Sequence, residues 1–264
     1  MPRRTRVDAE LVRRGLARSR QQAAELIGAG KVSIDGMPAV TPGTAVAATA
    51  ALKVIGEAER GWVSRGAHKL IGALDAFGIG VEGRRCLDAG ASTGGFTEVL
   101  LDRGAREVVA VDVGYGQLAW ALRTDPRVTV LDRVNVRQLT PDQVAPAPSL
   151  VTADLSFISL SLVLPALAAC AAPDADFVLL VKPQFEVGKG NVGAGGVVRS
   201  PAKRAEAVRS VAAAAAGPGL GVRGVTASPL PGPSGNVEYF LWLHLGAPPL
   251  DEAALHQAIT EGPE

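Results

Sequence analysis

The chain has 264 residues, which is long enough for one large α/β domain and a small additional module. Its net charge is +1, but residues 1–60 carry ten Lys and Arg against six Asp and Glu, whereas the remainder carries 17 against 20. A positive amino-terminal part is typical of a surface that binds nucleic-acid phosphates, and a solvated helix face has the same composition. The longest apolar run, residues 160–172, is shorter than the roughly 18 to 20 residues of a membrane-spanning helix, so we expect no stable membrane association.

The two cysteines, Cys86 and Cys170, lie in apolar stretches without the paired spacing of metal ligands. We therefore expect buried thiols, no metal site and a reducing compartment. The first residues run into a charged helical pattern and do not show the apolar core of a secretory signal. These features predict a cytoplasmic protein.

The first forty residues predict two short helices followed by a β-hairpin. Residues 8–14 form the first predicted helix, which ends at Gly15, and the capping-box pattern of residues 19–22 opens the second. Asp35-Gly36, flanked by apolar residues on both sides, is the strongest short hairpin signal.

This order of elements, with its basic side chains, resembles the S-four-like (αL) RNA-binding module first described in a small-subunit ribosomal protein; the motif is matched from Arg6 to Gly36. The resemblance implies that basic side chains of the module bind RNA. The candidate RNA-binding residues are Arg3, Arg4, Arg6, Arg14, Arg18, Arg20 and Lys31. Because the composition changes near Trp62, we place the module at residues 1–59, a linker at residues 60–63 and the second domain at residues 64–264.

In the second domain, short apolar runs alternate with amphipathic stretches of helix length. This alternation predicts an α/β domain with a mostly parallel, doubly wound sheet. Ligands of such sheets bind outside the carboxyl ends of the strands. The predicted strands are residues 85–88, 108–112, 128–131, 150–153, 177–181, 221–227 and 238–245.

A glycine-rich loop follows the first predicted strand, at residues 88–96. Its glycines allow a tight turn and a close approach of the backbone to a ligand, and a helix begins directly after it. Asp112 ends the second strand about twenty residues later, where a carboxylate can accept both hydroxyls of an adenosine ribose. The pair fits a dinucleotide or S-adenosylmethionine. The loop lacks the regular spacing of pyrophosphate binders and resembles the first motif of class I methyltransferases, which favours S-adenosylmethionine.

We expect Asp132 and Asn135, which follow the third strand, to contact the adenine. Their alternative role is to cap their own loop. The candidate cofactor-binding residues are Ser64, Asp88, Gly90, Ser92, Thr93, Gly94, Gly95, Phe96, Asp112, Asp132 and Asn135.

Asp154 and Lys182 end the fourth and fifth predicted strands, which are neighbours in this topology. Alone, each is an ordinary surface charge, but together at the cofactor edge they indicate a substrate site. A ribose 2'-hydroxyl is a poor nucleophile, so an enzyme must orient it and help remove its proton. We interpret Lys182 as the base or hydroxyl-orienting group, with Asp154 and Lys69 as its positioning partners. Glu238 is interpreted as the residue that holds Lys69 or the ribose.

Six segments together closely resemble the TlyA family, also named haemolysin A, and the resemblance extends over nearly the whole chain. The segments are residues 64–70, 88–96, 112–118, 154–160, 181–186 and 235–238. The resemblance implies a class I, Rossmann-like methyltransferase that transfers a methyl group from S-adenosylmethionine to the ribose 2'-hydroxyl of cytidine in ribosomal RNA. It also implies the small and, in some members, the large ribosomal subunit as partner, and sensitivity to capreomycin- and viomycin-type antibiotics. The Lys-Asp-Lys-Glu catalytic set that the family shares with heat-shock-type ribose methyltransferases falls on Lys69, Asp154, Lys182 and Glu238.

Three alternatives remain open at the level of sequence. A base N-methyltransferase is the nearest, because residues 154–157 are similar to the loop that grips an amino group in those enzymes; here the loop lacks both prolines, and that chemistry does not need two lysines. A haemolysin-like membrane-active protein is suggested by the family label, against which stands the absence of a strongly amphipathic segment. An RNA chaperone that uses only the first module would transfer no methyl group. The sequence does not set the oligomeric state.

Overall fold

The computed structural model describes residues 4–47, 50–54, 61–188, 190 and 192–262, and the chain divides into two compact units, Met1–Gly61 and Trp62–Glu264. Trp62 and Val63, which we predicted to lie in the linker, pack against the core of the second unit. The backbone N–H of Val63 also donates to the carboxylate of Glu98 at 2.7 Å. Arg60, the first residue of the predicted linker, lies outside the described residues. The domain boundaries stay a prediction.

The described residues of the small unit form two helices and two small antiparallel sheets. Its elements are β1 (Arg4–Arg6), α1 (Val7–Arg13), α2 (Arg20–Gly28), β2 (Val32–Ile34), β3 (Met37–Pro38), β4 (Ala45–Ala47) and β5 (Leu52–Val54). β1 pairs with β4, and β2 lies between β3 and β5. The two helices pack over a core of small and branched side chains that includes Val7, Leu11, Ile27 and Val32.

The predicted helix cap and the predicted hairpin turn of the small unit are both present. Ser19 caps α2, because its hydroxyl accepts from the backbone N–H of Gln22 at 3.1 Å. The Gln22 side chain accepts in return from Arg18 N at 2.8 Å, so the reciprocal bond reaches one residue further back than in a standard capping box. Asp35 and Gly36 have φ of 50° and 85°, the positive values that a tight two-residue hairpin turn requires.

The large unit is built on one seven-stranded sheet. Its strands are β6 (Arg85–Ala89), β7 (Glu107–Asp112), β8 (Val128–Asp132), β9 (Leu150–Ala153), β10 (Asp176–Val181), β11 (Leu220–Ala227) and β12 (Tyr239–Leu245). The order across the sheet is β11-β12-β10-β9-β6-β7-β8. The five strands from β10 to β8 run parallel to one another, while β12 is antiparallel to both β10 and β11. The prediction of a mostly parallel sheet is confirmed, with strand ends within one residue or so of those expected.

Helices cover both faces of this sheet. They are α3 (Gly66–Phe77), α4 (Gly95–Asp102), α5 (Trp120–Arg123), α6 (Pro141–Val144), α7 (Leu164–Cys170), α8 (Pro183–Glu186), α9 (Pro201–Ala215) and α10 (Glu252–Glu261). Successive strand residues point to opposite faces, so Leu180 packs with α3 and α4, whereas Leu179 packs with α7, α9 and α10. The sheet is therefore doubly wound.

The fold brings the carboxyl ends of β6, β7, β9 and β10 to one edge of the sheet, where the loops that follow them carry most of the candidate site residues. In the described part of the chain, no helix combines the length and the apolar character that crossing a membrane requires.

Candidate active site

The glycine-rich loop folds back over the ends of its neighbouring strands. Gly90 has φ of 86°, and a side chain there would place its Cβ 2.6 Å from the backbone oxygen of Asp154, so only glycine fits. The N–H of Gly90 donates to Val111 O at 2.8 Å. Gly94, at φ of 102°, starts α4. The loop is thus held between β7 and β9, and its backbone is open to a ligand on the outer side.

Asp112 is positioned to bind two hydroxyls. Its carboxylate accepts from Ser92 N at 2.8 Å through one oxygen and from Gly114 N at 2.7 Å through the other. An ionised carboxylate has about four acceptor sites, so roughly two remain, one on each oxygen. This arrangement fits the two adjacent hydroxyls of a ribose, and the two backbone N–H groups fix the direction from which they are accepted.

The two residues predicted to meet the adenine differ in position. Asn135 lines the cavity next to Asp112, and its side-chain oxygen also caps the following 3-10 turn by accepting from Arg137 N at 3.1 Å. Asp132 points elsewhere: its carboxylate accepts from Arg123 at 2.6 Å and from Gly116 N at 3.3 Å. The hydrogen bond from Arg123 lowers the pKa of Asp132. Asp132 is not among the residues that line the cavity, and its contact with the adenine stays a prediction.

Asp88 lies beneath the loop and not on its surface. Its side chain is fully buried, accepts from Thr97 Oγ1 at 2.7 Å, and lies 3.4 Å from Thr152 Oγ1. Burial raises the pKa of Asp88 to about 7, and the negative charge of Asp154 adds to this effect. Through these contacts Asp88 joins β6 to the start of α4, and its direct contact with the cofactor stays a prediction.

Two adjoining cavities open at this edge of the sheet. The first, of about 480 Å³, is bounded by Asp112, Gln117, Asn135 and apolar side chains that include Val134 and Ile158. The second, of about 410 Å³, is lined by other loop residues and by three members of the predicted catalytic set, Lys69, Asp154 and Lys182; Ser64, Thr93, Gly95 and Phe96 also line it. Gly90, Ser92, Asp154 and Ser156 line both. An elongated ligand can therefore lie across Gly90 with one end in each cavity. The volume of each cavity falls in the range of ligand sites in proteins.

Lys182 and Asp154 meet between the two cavities. The Lys182 ammonium lies 2.6 Å from Asp154 Oδ1 and donates to the hydroxyl of Ser156 at 2.9 Å. β9 and β10 are parallel neighbours that end at Ala153 and Val181, so the residues that follow these strand ends lie at the same edge of the sheet. The lysine is mostly buried, but its end faces the second cavity.

Lys69 and Glu238 form a second, more deeply buried pair. Lys69 Nζ donates to Glu238 Oε2 at 2.6 Å, and the two side chains are 8% and 1% exposed. Lys69 projects from the first turns of α3, and Glu238 immediately precedes β12. Lys69 reaches the lining of the second cavity, whereas Glu238 does not, so Glu238 holds Lys69 and the structure does not bring it to the ligand itself.

Some residues of the site were not predicted from the sequence. Ser156 binds the lysine, Arg65 lies at the mouth of the second cavity, and Val113 and Leu155 contribute apolar surface to the first. They were missed because serine, arginine and apolar residues in loops are common, and only the position of each loop shows what its side chains face. The position of a residue just after a parallel strand is the one sequence signal that Val113 and Leu155 carry.

The basic residues of the small unit divide into exposed and anchored groups. Arg6, Arg18, Arg20 and Lys31 are exposed, which suits contact with phosphates. Arg14 is anchored instead: it pairs with Glu10 at 2.8 Å and donates to Ala50 O at 2.6 Å. The backbone of Arg4 lies in β1, and Arg3 is outside the described residues.

One buried carboxylate, Asp8, organises two of the exposed arginines. Asp8, whose side chain is 5% exposed, pairs with Arg6 at 2.9 Å and with Arg20 at 3.1 Å. The hydrogen bond from Arg6 lowers the pKa of Asp8 to about 2. Asp8 thereby joins the strand β1 to the helix α2 and holds two exposed guanidinium groups on one side of the unit.

Comparison with known proteins agrees with both units. Residues 62–245 match the model of the FtsJ-like methyltransferases, and residues 5–49 match the S4 domain. The chain is 69% identical over 269 residues to the 16S/23S rRNA (cytidine-2'-O)-methyltransferase TlyA of Mycobacterium tuberculosis, with all of both chains covered. It is 35% identical to Hemolysin A of Brachyspira hyodysenteriae, over 89% of this chain and 97% of that protein. A solved structure of a hemolysin-named protein from Streptococcus thermophilus superposes with a TM-score of 0.74 and 39% identity, over 99% of this chain and 96% of that one.

The fold and the site define a methyltransferase with an α/β catalytic domain and an amino-terminal S4 domain. The chain belongs to the FtsJ-like methyltransferases and, within them, to the TlyA family.

Proposed function

We propose that the protein transfers a methyl group from S-adenosylmethionine to the ribose 2'-hydroxyl of a cytidine in ribosomal RNA. The main support for this proposal is the Lys182–Asp154 pair. It lies between the cavity that contains the carboxylate of Asp112 and a second cavity that is open to a substrate. The names of the TlyA relatives supply the expectation of cytidine and of both ribosomal RNAs.

The described residues fit S-adenosylmethionine. Asp112 keeps acceptor sites for the two ribose hydroxyls, and Asn135 with the apolar residues beside it forms a slot for the adenine. Because Gly90 has no side chain, the methionine part of S-adenosylmethionine can pass close to the backbone into the second cavity, where Ser64 and Phe96 lie. When bound, S-adenosylmethionine supplies the methyl group as an electrophile on a positively charged sulfur.

Lys182 and Asp154 act on the hydroxyl that attacks. Two of the hydrogen-bonding directions of Lys182 are taken by Asp154 and Ser156, so its remaining direction is fixed toward the cavity. As an amine it takes up the hydroxyl proton; as an ammonium it holds the hydroxyl oxygen in line with the methyl group, and the hydroxyl proton then passes to solvent. In either state the lysine must be held in place, which is the task of Asp154.

Lys69 adds a second positive charge at the other side of the same cavity. Because Glu238 fixes its amine, Lys69 can hold a neighbouring ribose or phosphate oxygen of the RNA without swinging away. The S4 domain, with Arg6 and Arg20 set by Asp8, supplies additional phosphate contacts that carry no sequence information.

The proposal is tested by incubating the purified protein with tritiated S-adenosylmethionine and with separated small subunits, large subunits and naked ribosomal RNA. Complete nuclease digestion and chromatography then identify the labelled nucleoside. We expect 2'-O-methylcytidine, with assembled subunits preferred over naked RNA. Label in a base-methylated nucleoside contradicts the proposed acceptor, and no transfer to any of the three substrates contradicts the proposed function.

A further inference from the structure

The loops that carry Asp154 and Lys182 are tied together at three successive places. Lys182 pairs with Asp154 at 2.6 Å. Three residues further along each loop, the rings of Phe157 and Phe185 are in contact, with centroids 5.1 Å apart. Beyond them, the Glu186 carboxylate accepts from Ser159 Oγ at 2.5 Å and from Leu160 N at 2.9 Å. The two loops therefore run side by side, and the last tie is made by a carboxylate outside the predicted catalytic set.

The environment of Glu186 is unusual for a carboxylate. It forms no ion pair with a described residue, and both of its hydrogen-bond donors are neutral. Burial raises the pKa of its carboxyl group, and the two hydrogen bonds partly oppose this effect. Partial burial of a carboxylate without a cation costs free energy, and the two hydrogen bonds offset part of that cost. Here they hold the far end of the Asp154 loop.

That loop needs to be held, because it contains a strained residue. Phe157 has φ of 63°, in the left-handed region that a side chain with a Cβ rarely adopts, and it is 91% exposed. Such conformations persist only where the surroundings impose them. Its contact with Phe185 on one side and the bonds of Glu186 to Ser159 and Leu160 on the other are the constraints that the structure shows.

We propose that Glu186 is a positioning residue, which holds the Asp154–Leu160 loop against the Lys182–Glu186 turn and so fixes the Lys182–Asp154 pair before the substrate arrives. The proposal rests on the proposed function, since it assigns Glu186 to the same reaction. Glu186 acts through Asp154 and Lys182 and does not touch the substrate itself. Without it, the pair would sample several arrangements, of which few place the hydroxyl in line.

The test compares four variants of the full-length protein with the parent in steady-state methyl transfer. Glu186→Ala removes the tie. Glu186→Gln keeps it, because the amide oxygen can accept from Leu160 N and the amide nitrogen can donate to Ser159 Oγ. Ser159→Ala removes one of the two bonds. Asp176→Asn is the control: Asp176 is a partly buried carboxylate at the opposite end of β10, bonded to Trp242 at 2.8 Å and paired with Arg84.

We expect Glu186→Ala to lower kcat about 10-fold to 100-fold, the range in which small misplacements of catalytic groups fall. The KM for S-adenosylmethionine and the affinity for RNA should stay at the parent values. Glu186→Gln should recover most of kcat, and Ser159→Ala should be intermediate. Asp176→Asn should lose thermal stability and keep kcat.

Three results would overturn the proposal. The first is a parent-like kcat for Glu186→Ala. The second is that Asp176→Asn and Glu186→Ala lose the same thermal stability and also the same fraction of kcat. Glu186 would then have only a structural role. The third is an inactive parent, which would reject the proposed function itself and is distinguished from the other two by the parent assay. If Glu186→Ala does not fold, Glu186→Gln and Ser159→Ala still decide the question.

Discussion

Lys182 and Asp154 follow two adjacent parallel strands, and their side chains meet with Nζ 2.6 Å from Oδ1 at the junction of two cavities. The sheet topology brings these two positions to the same edge, because β9 and β10 are hydrogen-bonded neighbours that run in the same direction. A charge pair at this place can act on whatever group is presented between the cavities.

Removing either member of this pair should abolish transfer and spare cofactor binding. Lys182→Ala and Asp154→Ala are expected to lower kcat at least about 100-fold, the usual contribution of a positioned acid or base. Binding of S-adenosylmethionine, measured by calorimetry, should remain near that of the parent, because Asp112 and the Gly90 loop are intact. Lys203→Ala, at an exposed pair with Glu206, is the control and should keep full activity. Loss of cofactor binding in both site variants would contradict the assignment.

Lys69 and Glu238 should behave as a mutually dependent pair. Because both are buried, removal of one leaves an uncompensated charge, so Lys69→Met or Glu238→Leu alone should lower the free energy of unfolding by about 3–5 kcal/mol. The double variant should lose much less, since no charge is left buried. All three tryptophans, Trp62, Trp120 and Trp242, lie in the catalytic unit, so denaturant titration followed by tryptophan fluorescence reports on this unit. Additive losses in the double variant would contradict a coupled pair.

Asp8 should strengthen RNA binding in spite of its negative charge. Asp8→Asn raises the net charge of the S4 domain but releases Arg6 and Arg20, so the affinity for ribosomal RNA should fall several-fold. The slope of log affinity against log salt should fall by about 1 if one phosphate contact is lost. Glu25→Gln, an exposed residue of α2, changes the charge by the same amount and should not weaken binding. Tighter binding by Asp8→Asn, measured by filter binding, would show that charge alone governs the interaction.

The exposed arginines themselves should contribute in a salt-dependent manner. Replacement of Arg18 and Arg20 by alanine should weaken RNA binding uniformly across sequences, with the salt slope reduced by about 1 for each phosphate contact removed. Arg209→Ala, which removes an exposed arginine paired with Glu252 in the catalytic unit, is the control. Unchanged affinity of the Arg18 and Arg20 variant would assign RNA binding to a different surface.

Asp88 should give the catalytic unit a pH-dependent stability. Its pKa is raised from a usual value of 3.8 to about 7, so between these values the folded unit binds a proton that the unfolded chain releases. Its contribution is therefore fully present below about pH 4 and is lost as the pH rises through about 7. The difference in unfolding free energy between the parent and Asp88→Asn should fall across this window and level off above it. A difference that stays constant from pH 4 to 7 would contradict the raised pKa; Asp142→Asn, at an exposed carboxylate, is the control.

The sequence predicts most of the fold and the members of the charged pair, because both depend on short-range patterns. Apolar runs define the strands, and a residue that ends a parallel strand must lie at the ligand-binding edge, which places Asp154, Lys182 and Asp112. The side-chain directions do not follow from these patterns. Asp132 ends a strand in the same way, yet its carboxylate pairs with Arg123 and is not among the groups that line the cavity.

Burial decides the remaining differences. Asp88 belongs to a loop motif that suggests a direct ligand contact, but its position within β6 points it into the protein, toward Thr97 and Thr152. The contacts of Glu186 and Ser156 depend on the packing of two loops, because their partners are 26 or 27 residues away in the chain. Contacts of this kind depend on how loops pack, and no spacing in the sequence reports them.

The most direct test of the central claim is the alkaline hydrolysis of methylated ribosomal RNA, because a 2'-O-methyl group removes the hydroxyl that attacks the adjacent phosphodiester. With the tritiated product of the parent protein, we predict that the label is recovered in alkali-resistant dinucleotides that begin with cytidine, and that Lys182→Ala yields none. Label released entirely as mononucleotides would show that the methyl group is on a base, and would contradict the account of Lys182 and Asp154 given above.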